Sequence, residues 1–437
     1  MKRLEINNTI DKFTKSDYLI GTSICFVISI LYMFNLNQIV VGGLSILLFL
    51  FYFNRIRKRA TVNEALTICL ILTLPFSFSP LVGSSFFSLF IIIQFIFICV
   101  LLTSNFSSKK NLLIQILGLG LLLFCLGVYF FNQSNYPKIL VETLIKTLLF
   151  LLIIIIALIK LKMSDLTVSS MMKFYVFAAS VAGLMVLIQY LSLKILGINY
   201  LGVQNQFGKS RTGFAGLFYD YSISSIYLSS ASLILFYGFL TKRYIINYKW
   251  SIIFMLFTVG TSVLTSGRSG IAALFIALFF LLIYLRNIKI IVISLIVGFP
   301  LIKTILYIYS LNRTTNLSND SGRLDNYLNA LNYFYKNFWF GSRFLGFSET
   351  SKSMLPHNFI LDFLVQYGVI FTLLLLLFLI VVWFKGLKRQ PILFFLFLLM
   401  LVGGNFHASF INTHYIVIPL ILIIGTLNNN ESISYNK

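Results

Sequence analysis

Tyr367-Gly-Val-Ile-Phe-Thr-Leu-Leu-Leu-Leu-Leu-Phe-Leu-Ile-Val-Val-Trp-Phe384 runs for eighteen residues without a charge and stops at Lys385-Gly-Leu-Lys-Arg389. A helix rises about 1.5 Å per residue, so such a run nearly covers the ~30 Å hydrocarbon core of a bilayer while satisfying its own backbone hydrogen bonds. The pattern of an apolar run closed by a polar or basic break recurs along the 437 residues. Runs at 18–34, 39–53, 62–80, 84–104, 111–131, 139–160, 174–196, 217–240, 250–266, 270–285, 290–309, 367–384, 391–405 and 414–427 give fourteen candidate crossings. The last two are short enough to be tilted or re-entrant, and without them the number is twelve. Composition agrees: 59% of residues are hydrophobic and 11% charged, against about 45–50% and 25% in soluble domains. The expected fold is an all-α polytopic integral membrane protein with about 12–14 transmembrane helices. A soluble enzyme, a disordered regulator, a disulfide scaffold and a β-barrel are excluded.

The net charge of +22 resembles a nucleic-acid signal until the cations are located. They fall in the tail (Lys2, Arg3, Lys12, Lys15), Arg55 to Arg59, Lys109-Lys110, Lys160 to Lys173, Lys242 to Lys249, Arg286 to Lys289, Lys385 to Arg389 and at Lys437. Together these positions hold 22 of the 34 Lys and Arg. Each internal group lies two apolar runs beyond the last, so the positive-inside rule makes these loops, and both termini, cytoplasmic. The charge reports topology, and nucleic acid is not an expected partner. The first run, Tyr18 to Phe34, has no small-residue cleavage site after it and is expected to be a retained helix. The four cysteines stand singly inside apolar runs with no CxxC pair, which indicates neither a disulfide nor a metal site.

Two outer loops are long, Gly197 to Gly216 and Ser310 to about Gln366. In the second, Leu324, Tyr327, Leu328, Leu331, Phe334 and Phe338 recur at spacings of three and four, predicting an amphipathic helix along the membrane surface. Asp320 or Ser321 can cap its start, and Gly341 follows its end.

The basic residues outside the cytoplasmic set include Arg211, in a small-residue loop leading into a helix, and Arg268, in the tight turn Leu264-Thr-Ser-Gly-Arg-Ser-Gly270. They also include Arg323, at the start of the amphipathic helix, and Arg343, in Phe340-Gly-Ser-Arg-Phe-Leu-Gly346. Guanidinium groups at outer helix ends suit a phosphate-bearing ligand, because they bond two oxygens at once and a helix N-terminus adds unpaired N–H groups. The competing reading is pairing with lipid phosphates or with Asp320, Asp325 and Glu349.

His357 follows Pro356 and is expected in the first turn of a helix, where the dipole disfavours imidazolium and keeps the ring able to accept a proton. A lone histidine is more often structural, and His407 and His414 flank the last outer loop. Asn358, Asp362 and Gln366 form a polar stripe at i, i+4, i+8 that suits sugar hydroxyls or a neighbouring helix. Asp220 opens an apolar helix, as a partner for Arg211 or for substrate; the serines behind it, Ser222 to Ser232, favour close helix packing.

The turn Leu264-Thr-Ser-Gly-Arg-Ser-Gly-Ile-Ala-Ala-Leu274, the loop with Trp339-Phe-Gly-Ser-Arg343 and the string His357-Asn to Leu361 and Gly368 resemble, in order and spacing, the O-antigen ligase and Wzy-type polysaccharide polymerase family. Arg211-Thr-Gly-Phe-Ala-Gly-Leu-Phe-Tyr-Asp-Tyr-Ser222 is similar to that family's Arg, Gly, acid-Pro-Ser stretch, with Tyr221 in place of proline and Asp220 in place of the commoner glutamate. The resemblance covers roughly residues 200–425 and implies a GT-C-like arrangement. On that basis 1–196 are N-terminal membrane helices and 197–309 are helices with outer arginine loops, followed by an extracytoplasmic catalytic loop at 310–366 and C-terminal membrane helices at 367–437.

The implied activity is metal-independent, cofactor-free inverting glycosyl transfer on the outer face of the bacterial cytoplasmic membrane. The donor is an undecaprenyl-pyrophosphate-linked glycan and the acceptor a sugar hydroxyl. In that scheme Arg211 and Arg268 hold the departing pyrophosphate, Arg323 assists, His357 is the base, and Asp220, Arg343 and Asn358 contact substrate. The implied partners are the lipid-linked donor and acceptor, membrane lipids and a chain-length regulator protein. Polymerase and ligase share this chemistry and differ in acceptor; composition and the acidic-Ser variant resemble capsule polymerases. A lipid-linked oligosaccharide flippase is a further class, disfavoured by a long outer loop carrying His and Arg.

Overall fold

The computed structural model describes residues 12–81, 88–103, 120, 137–207, 211–218, 220–286, 303, 307, 323–341, 356, 358–406 and 416–427. The described helices are α1 (Lys15–Met33), α2 (Gln38–Arg57), α3 (Val62–Thr73, extended by a 3-10 turn at Leu74–Phe76), α4 (Leu89–Thr103), α5 (Pro137–Lys160) and α6 (Asp165–Leu196). After a hairpin of β1 (Val203–Phe207) and β2 (Arg211–Gly216) come α7 (Tyr221–Thr241), α8 (Tyr248–Leu264) and α9 (Arg268–Leu285). The remainder are α10 (Arg323–Lys336), α11 (Phe359–Arg389), α12 (Pro391–Gly404) and α13 (Val417–Leu427).

Six of these are long and apolar enough to cross a membrane, and six shorter helices are apolar. They fall on twelve of the fourteen runs read from the sequence; the runs at 111–131 and 290–309 lie largely outside the described residues. The chain is an all-α polytopic membrane protein. Two boundaries differ from expectation. The segment Gly197 to Gly216 holds an antiparallel hairpin where a loop was expected, and the helix expected after Pro356 and the crossing at 367–384 form one kinked element, α11, starting at Phe359.

The chain divides into two compact units. In the first, comprising Met1–Ile93, Leu166–Asn319 and Leu398–Gly403, buried carboxylates fasten helix ends. Asp17, 1% exposed, accepts from Arg55 Nε at 2.9 Å and from Arg59 at the end of α2, and Tyr52 donates to its carbonyl at 3.1 Å. Glu64, in the first turn of α3, takes Lys12 Nζ at 2.6 Å and Thr167 Oγ1 at 2.9 Å. A carboxylate withdrawn from water is tolerated only with such a complement of donors.

The three helices α7, α8 and α9 form the tightest bundle of this unit. Their seam is hydroxylic: Ser225 to Ser262 at 3.0 Å, Ser229 to Ser262 at 2.9 Å and Ser232 to Thr258 at 2.8 Å. In hydrocarbon, where Leu on Leu gains nothing over Leu on lipid, small residues and interhelical hydrogen bonds are what hold helices together.

The second unit comprises Gln94–Asp165, Asp320–Phe397 and Gly404–Lys437. Here Lys160 closes the end of α5 on the carbonyl of Leu102 at 2.7 Å. The indole of Trp383 stacks on Phe394 at 4.4 Å and donates to its carbonyl at 3.0 Å. At 31 residues, α11 is about 46 Å long, well over the ~30 Å of a hydrocarbon core. A kink at Gly368 (φ 77°, ψ −178°) divides it into a stub carrying Asp362 and Gln366 and an apolar shaft from Val369.

Candidate active site

In the first unit the chain between α6 and α7 is shaped by one buried side chain. Gln189 of α6, wholly buried, donates through Nε2 to the carbonyls of Leu201 (2.8 Å) and Val203 (2.9 Å) and accepts from Gly216 N–H (3.0 Å). It thereby fastens both ends of the hairpin. Gly213 lies under the ring of Tyr221, so closely that a Cβ there would come within 2.6 Å of it. Tyr221, where the resembled family has proline, thus seats the start of α7 on β2.

Two side chains cap that helix. Asp220, its N-cap, accepts from Ser222 N–H at 2.6 Å, and Asn205 of β1 accepts from Tyr221 N–H at 3.1 Å. These bonds satisfy donors that a helix start leaves orphaned. Asp220 therefore has a structural task at the position read as a substrate contact.

The turn between α8 and α9 meets the same corner. Phe214 N–H of β2 donates to Thr265 O at 3.0 Å, Ser225 Oγ donates to Gly267 O at 2.8 Å, and Thr265 Oγ1 accepts from Gly267 N–H at 3.0 Å. A Cβ on Gly267 would lie 2.8 Å from Tyr221 O and from Ser225 Cβ, and one on Gly270 would overlap the Ser225 backbone. The spacing Gly267-Arg-Ser-Gly270 is thus a demand of packing: both glycines face α7, and the arginine between them turns elsewhere. Arg268 is the first residue of α9 and half-buried. The N-cap of α9, Gly267, supplies no side-chain hydrogen bond, so the positive end of that helix dipole coincides with a guanidinium. Arg211 opens β2, paired with Phe207. The backbone thus brings Arg211, Asp220 and Arg268 onto three mutually contacting segments.

In the second unit Arg323 is the first residue of α10. This helix splits its apolar face. Tyr327, Ala330, Leu331 and Phe334 pack on Leu361, Leu364, Val365 and Val369 of α11, while Leu324, Tyr335 and Trp339 remain at least 60% exposed.

The end of α10 is built into the α11 kink. Val369 N–H donates to Phe338 O at 2.9 Å, and Gly341 (φ 74°) and Gly368 (φ 77°) approach so closely that a Cβ on either would overlap the backbone of the facing segment. Asn358 is the N-cap of α11 and accepts from Leu361 N–H at 3.0 Å. The stripe continues inward, with Gln366 Nε2 donating to Asp362 Oδ1 at 2.7 Å and both residues buried.

His357, Arg343, His407 and His414 lie outside the described residues. Among the described residues no cluster of His, Cys, Asp and Glu suits a metal. The sequence reading missed Gln189, Asn205 and the glycine pairs 267/270 and 341/368; of these only the Gly-x-x-Gly spacing carried a signal, in a chain where small residues mark helix contacts.

A comparison with curated proteins finds no match. A family model does match, and it spans most of α8, the Arg268 turn, α9, α10 and α11 to Leu376, leaving Arg211 and Asp220 outside. That model describes the O-antigen ligase family, and it is to this family that residues 252–376 of this membrane protein are similar.

Proposed function

We propose that the protein polymerises undecaprenyl-pyrophosphate-linked oligosaccharide repeat units into O-antigen, capsule or exopolysaccharide on the outer face of the bacterial cytoplasmic membrane. The observation that carries this reading is the O-antigen ligase match, which contains Arg268, Arg323, Arg343 and His357. In the reaction the acceptor hydroxyl oxygen bonds to the donor's anomeric carbon from the face opposite the pyrophosphate, inverting the centre. The carbon–oxygen bond to pyrophosphate breaks, and the hydroxyl proton passes to the base. His357 takes that proton. Arg268 at the dipole end of α9 and Arg211 on β2 stabilise the charge growing on the leaving group, and Arg323 adds to it from the start of α10. Arg343 and Asn358 contact the sugars, and Asp220 contacts substrate beyond its capping bond. The leaving group is already activated, so no metal or nucleotide sugar is needed.

The family description itself favours a second reading, ligase transfer to a lipid A core or protein. Purified protein in liposomes, given only lipid-linked repeat unit and a chelator, should produce longer lipid-linked chains on a gel. Transfer that requires an added lipid A core or protein acceptor replaces the polymerase with the ligase. Movement of the lipid-linked unit across the bilayer without any bond formation replaces both with a flippase.

A further inference from the structure

At the opposite end of α7 from Asp220, the junction with α8 forms an open cleft of about 560 Å³ lined by Phe239, Leu240, Lys242, Tyr244 and Tyr248. One wall is aromatic and fixed: Phe239 and Tyr248 stack with centroids 6.1 Å apart, and Tyr244 meets Tyr248 edge-on at 5.3 Å. The loop is held tight. Lys242 closes α7 in the left-handed conformation (φ 56°), the carbonyl of Arg243 lies 3.0 Å from where a Cβ on Gly238 would sit, and Asn247 caps α8. Yet the aromatic rings face outward, with Phe239 41% and Tyr248 47% exposed.

The loop carries Lys242, Arg243 and Lys249, and the described residues of this unit offer them no counter-charge. From Tyr221 to Asn319 there is no Asp or Glu against eight Lys and Arg. Of the three carboxylates among the described residues of this unit, Asp17 and Glu64 are held by Arg55, Arg59 and Lys12. Asp220 lies at the far end of α7, a helix of 21 residues and so about 30 Å away. A rigid aromatic wall beside unpaired cations, at the end of a helix long and apolar enough to cross a membrane, matches a phospholipid: rings for the glycerol and upper acyl chain, cations for a headgroup phosphate.

We propose that the α7–α8 cleft is a binding site for an anionic phospholipid, with Lys242 and Arg243 on the phosphate and Phe239, Tyr244 and Tyr248 against the chain. The site is independent of the glycosyl-transfer reading. The test is native mass spectrometry of the full-length protein, stripped of lipid in detergent and reloaded with equimolar phosphatidylglycerol and phosphatidylcholine. Wild type should retain phosphatidylglycerol at least tenfold over phosphatidylcholine, and Lys242→Gln/Arg243→Gln should lose that preference while keeping its helical circular dichroism. Tyr248→Ala should lower total lipid retained. Equal retention of the two lipids by wild type, which needs no variant to interpret, would overturn the proposal. So would an unchanged preference in the double variant, or displacement of the lipid by millimolar inorganic phosphate.

Discussion

Arg268 shows how a residue's position is decided by its neighbours. Gly267 and Gly270 take the close contact with α7, which leaves the intervening guanidinium at the start of α9, half out of the protein. If its task is to bind two phosphate oxygens together, Arg268→Lys keeps the charge but loses the planar fork. Chain growth in cells should then fall severely, read as glycan length on a gel; normal polymer would reduce Arg268 to a point charge. His357→Ala should lower the rate by about 10²–10⁴-fold, the usual worth of a general base, with expression and membrane insertion intact; full-length polymer would remove the histidine from that role. The sequence singles out both because a cation away from the basic loops and a histidine directly after proline break local rules. Gln189 was not legible, since nothing in a helix of Val, Leu and Gln announces that its amide will receive a hairpin twelve residues later.

Elements were legible to the extent that lipid dictates them. A crossing helix needs a long apolar run, so twelve runs met helices, and the three- and four-residue spacing of α10 met a helix with a packed face. The hairpin was missed because its strands, Val203–Phe207 and Arg211–Gly216, are short and rich in Gly, Asn and Gln, and tertiary bonds from Gln189 stand in for strand propensity. The helix after Pro356 was legible in its start, at Phe359, but not in the pairing of its polar stripe, where Gln366 donates to Asp362 inside the protein. At the joint of α10 and α11, Gly368→Ala would force an L-residue to φ 77°, costing about 1–2 kcal/mol, and would drive a methyl into the Trp339 carbonyl. The thermal midpoint in detergent should drop by several degrees. Gly43→Ala, whose Cβ meets nothing within 4 Å, should leave it unchanged. Equal midpoints for the two variants would show that the joint is not closed in solution.

For the whole molecule the governing quantity is the alternation of charge along the chain, from which we predict Arg211, Arg268, Arg323 and His357 outside and Arg55, Lys109, Lys242 and Lys388 inside. Single cysteines at these positions, in a background lacking Cys25, Cys69, Cys99 and Cys125, should label with an impermeant maleimide in intact cells only for the first group. Label at position 268 from the cytoplasm alone would break the common site apart. Charge and hydropathy predict the side of the membrane on which a loop lies, but not which loops meet. Contact depends on glycines and amides whose partners are far away in sequence.

One amide makes that dependence measurable. In an unbroken helix Val369 N–H would bond to Val365 four residues back; here it bonds to Phe338, in the turn just beyond α10. The ladder of α11 is thus continued through the turn that follows α10, and its stub and shaft are expected to open separately. Deuterium uptake at Val369 therefore clocks the undocking of α10, and should rise without any exchange from the shaft below it.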